Sequence, residues 1–337
     1  MTRKTTIHDL AKALGIDSST VSRALNDSPR VGKKTKDRVL KMAKEMGYQR
    51  NLMASNLRMR KTMTIGVVVP FISRYVLSEA IGGIEQVASA NDYQVIIAQT
   101  HDNVEDSEKA INTLFMNRID GLLISPTQSE KIEEQLKQFT GSDIPVVMFD
   151  RYLETSNISK VTIDDRNVTK QLTKYLIETG KKNIYHIAGD LDAIMYRERC
   201  EGYKSAIQES DVEFDANKVI SVELFPEVAV ETFEKIRVDK PDALICANDV
   251  TAIAIIKHIN ENTDLRIPED IAITGFSDSP ASSIIKPSLT TVNQHPLELG
   301  RTAANLLLEC IKDADSGSAS KKSIVINSDI MIRESTN

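Results

Sequence analysis

The sequence of 337 residues contains no tryptophan, only three cysteines and no long apolar segment. Cys200, Cys246 and Cys310 lie far apart without a Cys-x-x-Cys pair, which favours free thiols over a disulfide framework. No apolar run reaches the roughly 18 residues of a membrane-spanning helix, and the N-terminus lacks the apolar segment of a secretory signal. We therefore expect a cytoplasmic protein with no membrane partner.

Sequence motifs of enzymes are also missing. The chain has no Walker loop, no Gly-x-Gly-x-x-Gly, no His-Glu-x-x-His and no Gly-x-Ser-x-Gly. The five histidines are scattered: His8, His101, His186, His258 and His295. The sequence thus predicts no catalytic residues, no metal site, no cofactor and no enzyme activity.

Charge is distributed unevenly along the chain. Residues 1–61 hold 15 Lys or Arg against 5 Asp or Glu, whereas the remainder holds 27 basic and 43 acidic residues. The net charge of −6 therefore hides a basic head on an acidic body. A basic head is typical of a segment that binds a polyanion. The alternative is a solubilising basic face on a small helical domain.

Residues 6–48 predict three short helices in this head. In the first, Thr6 and Asp9 can form a capping box, and Gly15 allows a tight turn. Asp17 can cap the second helix. Two helices joined by a short glycine-containing turn indicate a helix-turn-helix. The residues predicted to face the core of the second and third helices are Val21, Ala24, Leu25, Val39, Leu40, Met42, Ala43 and Met46.

The opposite face of the second helix carries short polar side chains and one arginine. Ser18, Ser19 and Ser22 are small enough to enter the major groove of DNA, and Arg23 can reach a guanine edge with two hydrogen bonds. This face predicts DNA recognition. The alternative is a solvent-facing helix in a three-helix bundle.

The chain resembles the LacI/GalR family of transcriptional regulators, the lactose-repressor type. The segments that carry the resemblance are "TIHDLAKALGIDSSTVSRALNDSPRVGKKTKDRV", "GYQRN" and "MASNLR". The resemblance covers essentially the whole chain. It implies an N-terminal all-α, lambda-repressor-like helix-turn-helix domain and an α/β, periplasmic-binding-protein-like effector domain of two lobes. The implied DNA-binding residues are Thr6, Ser18, Ser19, Thr20, Ser22, Arg23, Asn26, Asn51, Ala54 and Leu57. Asp17 departs from the Ser or Thr usual in the family, and its charge argues against a phosphate contact there.

The segment after the head, residues 51–63, is short, basic and free of Gly and Pro. An isolated helix of this length is marginal in water. The resemblance implies that it folds on the operator, with Ala54 at the contact between two copies and Leu57 inserted into the minor groove. The alternative is a flexible linker, with Leu57 packed on the body.

In the body, short apolar runs alternate with amphipathic segments, a pattern that favours parallel sheets with helices on both faces. The predicted strands lie in 64–70, 94–100, 121–125, 145–150, 183–189, 243–248, 271–276 and 290–294, and residues 313–322 are predicted to be a loop. The domain boundaries that we expect are 1–50 for the DNA-binding domain, 51–63 for the hinge and 64–337 for the ligand-binding and dimerisation domain. By resemblance, the first lobe takes about 64–161 and 292–321, and the second about 162–291 and 322–337.

Ligands of open α/β sheets bind beyond the carboxyl ends of the strands. The strand ends and the resemblance together imply effector contacts at Phe71, Ser125, Asp150, Arg199, Phe225, Asn248, Ser277, Asp278 and Gln294. Three of these have structural alternatives: Arg199 in an ion pair on its own helix, Phe225 in the core, and Asn248 only as a helix cap. Ser277 stands where sugar-binding relatives commonly carry Asp.

These observations predict a sequence-specific transcriptional repressor that acts as a homodimer on a pseudo-palindromic operator in double-stranded DNA. A small effector, a sugar or sugar derivative, would bind between the lobes, and the protein would be associated with the nucleoid. The alternative is a cytoplasmic sugar-binding or sugar-processing α/β protein with an incidental basic head.

Overall fold

The computed structural model describes residues 5–25, 27–48, 61–154, 156–316 and 321–337. The chain divides into two compact units, Met1–Thr62 and Met63–Asn337. Among the described residues, no helix is both long and apolar enough to cross a lipid bilayer.

The first unit contains the three predicted helices, α1 (Ile7–Leu14), α2 (Ser18–Leu25) and α3 (Lys33–Glu45). The capping box is present, because the Asp9 amide donates to Thr6 Oγ1 and the Thr6 amide donates to Asp9 Oδ2 at 2.8 Å. Gly15 ends α1 with φ 65°, a left-handed conformation that glycine adopts without strain.

The core of the first unit is built from one face of each helix. Leu10, Val21 and Val39 are completely buried. The prediction that Leu40 joins them is wrong, because this side chain is 54% exposed. It lies one position after Val39 on α3, about 100° further around the helix, and so points away from α1 and α2.

The second unit is α/β. Its strands are β1 (Thr64–Val69), β2 (Gln94–Gln99), β3 (Gly121–Ile124), β4 (Val146–Phe149), β5 (Ser159–Ile163), β6 (Ile184–Ala188), β7 (Val219–Ser221), β8 (Ala243–Cys246), β9 (Ala272–Thr274), β10 (Thr291–Asn293), β11 (Ser323–Ile326) and β12 (Asp329–Met331). Its helices are α4 (Tyr75–Ala90), α5 (Val104–Met116), α6 (Glu130–Thr140), α7 (Asp165–Glu178), α8 (Ile194–Gln208), α9 (Pro226–Ile236), α10 (Asp249–Asn262), α11 (Pro280–Ile284) and α12 (Pro296–Ser316).

Two parallel sheets define the two lobes. The first has the strand order β11-β5-β4-β3-β1-β2, and the second has the order β7-β6-β8-β9. Strands β3, β4, β6, β8 and β9 are buried along their whole length, as expected for apolar strands covered on both faces. All eight predicted segments contain a strand, and the predicted parallel α/β architecture is confirmed.

Two details of the second unit differ from the prediction. β11 was expected in the second lobe with the rest of 322–337, but it pairs with β5 in the first sheet, where its apolar residues extend an otherwise open edge. Residues 313–316 were expected in a loop, but they form the last turn of α12. In the described residues the chain passes between the lobes three times: after β5, around β10, and between β11 and β12.

Helices α4 and α12 cross in the first lobe at two glycines. A Cβ atom on Gly300 would collide with the Ala80 carbonyl oxygen, and one on Gly83 would collide with the Leu297 carbonyl oxygen. The two backbones can approach this closely only because both positions lack a side chain. This contact joins the segment that follows β10 to the rest of the first lobe.

Candidate DNA-recognition helix and effector cleft

Helix α2 presents a polar face to solvent. Ser19 and Arg23 are exposed, and Ser18 is partly exposed, whereas Val21 and Ala24 on the opposite face are buried. Thr20 and Ser22 are also partly exposed. This division arises because the apolar residues of α2 recur at helical spacing, so that the short polar residues occupy the remaining face.

The first residue of α2 is held by a neighbour on α1. Ser18 Oγ lies 3.0 Å from His8 Nδ1. The Asp17 carbonyl accepts hydrogen bonds from the Thr20 and Val21 amides and so begins the helix. Thr6 is exposed, and its hydroxyl donates to Asp9 Oδ2 at 2.6 Å. The other predicted DNA contacts lie outside the described residues: Asn26, Asn51, Ala54 and Leu57.

A cleft of about 630 Å³ lies between the two lobes of the second unit. Seven of the nine predicted effector contacts line it: Phe71, Asp150, Arg199, Phe225, Asn248, Ser277 and Gln294. The first lobe contributes residues that follow β1, β2 and β4, and the second contributes residues that follow β6, β7, β8 and β9. The carboxyl ends of the two sheets therefore meet at one cavity, as expected for open α/β sheets.

Asp150 is the central acid of the first lobe. It follows β4 with φ 62°, in the left-handed region, and it accepts a hydrogen bond from Ser125 Oγ at 3.1 Å. Burial raises the pKa of its carboxyl, against the opposing charges of Arg151 and Arg199. Because hydrogen bonds from a donor stabilise the ionised form, a ligand hydroxyl that donates to Asp150 is favoured. Ser125 therefore donates a hydrogen bond to this carboxylate but does not itself line the cleft.

Arg199 is the corresponding cationic side chain of the second lobe. It is 4% exposed, its Nε donates to Asp165 Oδ1 at 2.7 Å, and another guanidinium nitrogen donates to the Ala247 carbonyl at 2.8 Å. The guanidinium carbon lies 3.5 Å from the centroid of the Phe276 ring. The alternative of an ion pair within one helix is wrong, because the partner carboxylate of Asp165 lies on α7 whereas Arg199 lies on α8. The guanidinium still borders the cleft.

Asn248 and Phe225 lie on the same wall. Asn248 Oδ1 accepts the Thr251 amide hydrogen at 2.8 Å and caps α10, so it caps a helix and borders the cleft at once. Phe225 precedes Pro226 at the start of α9 and is 49% exposed, which excludes the alternative that it is a core residue. An exposed ring at the rim of a cleft can lie against the apolar face of a ligand.

Asp278 is placed differently from the prediction. It forms a 2.6 Å ion pair with Arg333 and accepts hydrogen bonds from Ser282 and Asn293. These contacts join the segment after β9 to the C-terminal segment, and Asp278 does not line the cleft. Its neighbour Ser277 does line it, with only 9% of its surface exposed.

Several residues of the cleft were not predicted from the sequence. Asp102 follows β2, and its carboxylate receives two hydrogen bonds from the Arg151 guanidinium at 2.7 and 2.8 Å. Tyr196, three residues before Arg199 on α8, also lines the cavity, and so does Arg74 immediately before α4. The strand-end rule applied to β2 could have found Asp102. Helical spacing from Arg199 could have found Tyr196.

Comparisons with known proteins agree with both halves of this arrangement. Residues 6–51 match the family described as bacterial regulatory proteins, lacI family, and residues 173–336 match a periplasmic binding protein-like domain. Over 335 residues the chain is 33% identical to the HTH-type transcriptional repressor PurR of Haemophilus influenzae (strain PittEE), with 98% of each chain covered. The chain belongs to the LacI family. It is a DNA-binding transcriptional repressor controlled by an effector.

Two solved structures of transcriptional regulators resemble the whole chain. The transcriptional regulator CelR–cellobiose complex is 27% identical, with a TM-score of 0.74 over 98% of this chain and 100% of that chain. The lac repressor dimer bound to operator and the anti-inducer ONPF is 23% identical, with a TM-score of 0.88 over 99% of each chain. The second similarity establishes the shared LacI fold.

Proposed function

We propose that this LacI-family repressor binds a pseudo-palindromic operator as a homodimer and releases or engages it when a sugar or sugar derivative occupies the cleft. The observation that carries the proposal is the division of α2 into a buried apolar face and an exposed face of short polar side chains with one arginine. The protein acts by binding rather than by catalysis.

In this proposal α2 enters the major groove of each half-site. Arg23 is exposed and can donate two parallel hydrogen bonds to guanine O6 and N7. Ser18 and Ser19 lie at the start of the helix, the end that approaches base edges in helix-turn-helix proteins. The 15 basic residues among residues 1–61 supply the attraction to phosphate that does not depend on sequence. The insertion of Leu57 into the minor groove stays a prediction.

The cleft suits a ligand with several hydroxyl groups. Asp150 can accept from hydroxyls, Arg199 can donate to them, and Asn248 and Gln294 offer amides on the facing wall. The exposed ring of Phe225 adds an apolar surface. The complex of the related CelR with cellobiose supports a carbohydrate effector.

A second copy of the chain fits the outer edge of the first sheet. β2 is the edge strand, and its Ile96 and Ile97 are 40% and 41% exposed. Exposed apolar residues on a sheet edge favour pairing with another chain. We propose the dimer contact there; a dimer carries two copies of α2, which would match an operator with two half-sites.

The test is to recover and sequence the genomic fragments that the purified protein binds. Enrichment of a few palindromic sites is expected, and Arg23→Ala should then weaken binding to such a site by about 1–3 kcal/mol while leaving random DNA nearly unaffected. Arg38→Ala, which removes an exposed arginine from α3, is the matched control for charge alone. An equal loss on both kinds of DNA in Arg23→Ala would contradict the base-reading role.

A further inference from the structure

A histidine on α1 contacts the first residue of the recognition helix α2. His8 lies on α1 and is exposed, and its Nδ1 is 3.0 Å from Ser18 Oγ at the first position of α2. His8 is also the only histidine in residues 1–62. Ion pairs of the other histidines involve His101, His258 and His295, all in the second unit.

The hydrogen-bonding capacity of Ser18 depends on the state of this nitrogen. A serine hydroxyl has one hydrogen to donate and two lone pairs that accept. A neutral imidazole with its proton on Nε2 accepts through Nδ1, so the Ser18 hydroxyl donates to His8 and can only accept from DNA. A protonated imidazole donates from both nitrogens, so Ser18 accepts from His8 and its own hydrogen becomes free for a base.

We propose that His8 is a positioning residue that sets whether Ser18 reads its base as an acceptor or as a donor. With neutral His8 that carries its proton on Nε2, Ser18 favours bases that present an amino group in the major groove, adenine N6 or cytosine N4. With protonated His8, it favours guanine O6 and N7 or thymine O4. The inference rests on the proposed function, because it requires that Ser18 meet a base edge.

The elements packed around the pair carry other charged residues. Those on α1, in the turn, on α2 and on α3 are Asp9, Lys12, Asp17, Arg23, Lys33, Lys34, Lys36, Asp37, Arg38, Lys41, Lys44 and Glu45. Carboxyl groups, lysine and arginine ordinarily titrate outside about pH 5–8, whereas histidine titrates inside it. The α-amino group of Met1 also titrates near this range, so a variant of His8 is needed to separate the two.

The experiment is a selection of bound sequences from a library randomised around a recovered operator, using the full chain at about pH 6 and about pH 8.5. In the wild type, the preference at the position read by Ser18 should shift by about three- to tenfold between the two pH values, the size of one hydrogen bond. His8→Phe keeps the ring shape without nitrogens and should show no shift. Ser18→Ala should lose the preference at both pH values.

Lys12→Gln is the matched control, because it removes a charge from α1 one turn after His8. It should lower affinity for all sequences alike and keep the wild-type shift. A wild type with the same preference at both pH values, or a His8→Phe variant that keeps the shift, would overturn the role of His8 alone. Unchanged preference in Ser18→Ala would instead overturn the base-reading role of Ser18 in the proposed function.

Discussion

The buried ion pair of the effector cleft offers a quantitative test of the site. Arg199 and Asp165 are 4% and 8% exposed, and Arg199 Nε lies 2.7 Å from Asp165 Oδ1. Arg199→Met keeps an unbranched stem beside Phe276 but leaves the Asp165 carboxylate without its charge partner. We expect this variant to lose about 3–5 kcal/mol of the free energy of unfolding at neutral pH. Arg199→Met combined with Asp165→Asn should recover most of the loss, because no unpaired charge remains.

The size of this recovery should depend on pH through Asp165. Burial raises its pKa to about 6, with the Arg199 guanidinium opposing the shift. The unfolded value is about 3.9, and at about 1.4 kcal/mol per unit the difference corresponds to about 3 kcal/mol. Removal of Arg199 raises the pKa further, so this figure is a lower bound for the single variant. Because the folded-state pKa of Asp165 is raised, the loss of unfolding free energy due to its ionisation is absent below about pH 4. It is complete above the folded-state pKa.

The assay is urea unfolding followed by circular dichroism, since the chain has no tryptophan. The double variant should be more stable than Arg199→Met by about 3 kcal/mol or more at about pH 8, and by about 1 kcal/mol or slightly more at about pH 4.5. Two results would refute the role of Arg199 in compensating a buried charge on Asp165. One is a difference in the free energy of unfolding between the two variants that does not change with pH. The other is a single variant as stable as the double variant at pH 8.

Three further predictions concern packing, the effector and assembly. Gly300→Ala should lower the free energy of unfolding by about 1–3 kcal/mol or more in thermal or urea unfolding, because its Cβ meets the Ala80 carbonyl; Gly82→Ala, whose Cβ would lie 4.0 Å from Leu297, is the control and should cost nothing. Asp150→Ala should weaken effector binding in calorimetric titration by about 1.5–3 kcal/mol, and wild-type affinity would remove Asp150 from the site. Ile97→Lys should shift the dimer towards monomer in sedimentation, whereas Met116→Lys, at a side chain 79% exposed on α5, should not; equal behaviour of the two would exclude the β2 edge.

The sequence predicted those parts of the fold that short-range patterns determine. The capping box of Thr6 and Asp9 and the turn at Gly15 depend on neighbouring residues only, and both are present. β5 was missed because its run includes Ser, Lys and Thr, and the short β7 was not among the predicted segments. The pairing of β11 with β5 and the ion pair of Asp278 with Arg333 join residues far apart in the sequence. Local hydrophobic periodicity carries no information on such contacts.

The cleft was predictable to the extent that strand ends determine it. Asp150 and Asn248 follow buried strands and line the cavity. Ser125 also follows such a strand, but its hydroxyl donates to Asp150 behind the cleft wall. The direction of a side chain after a strand depends on the local backbone, as the positive φ of Asp150 illustrates. Sequence position therefore identified the edge of the sheet but not every side chain that faces the cavity.

In the described residues three segments join the lobes, and Arg199 is hydrogen-bonded to the start of the helix that follows the first of them. Asp165 is the first residue of α7, two residues after β5, where the chain first crosses to the second lobe. Arg199 donates from Nε to Asp165 and from another nitrogen to the Ala247 carbonyl, and its guanidinium also borders the cleft. One side chain therefore contacts both the first crossover and the effector cleft. His295 Nε2 lies 2.7 Å from Asp329 Oδ2, and this contact joins the other two crossing segments to each other. A ligand can shift the lobes only by its difference in affinity for their two arrangements, and a difference of about 1–3 kcal/mol corresponds to about 5- to 150-fold control of operator binding.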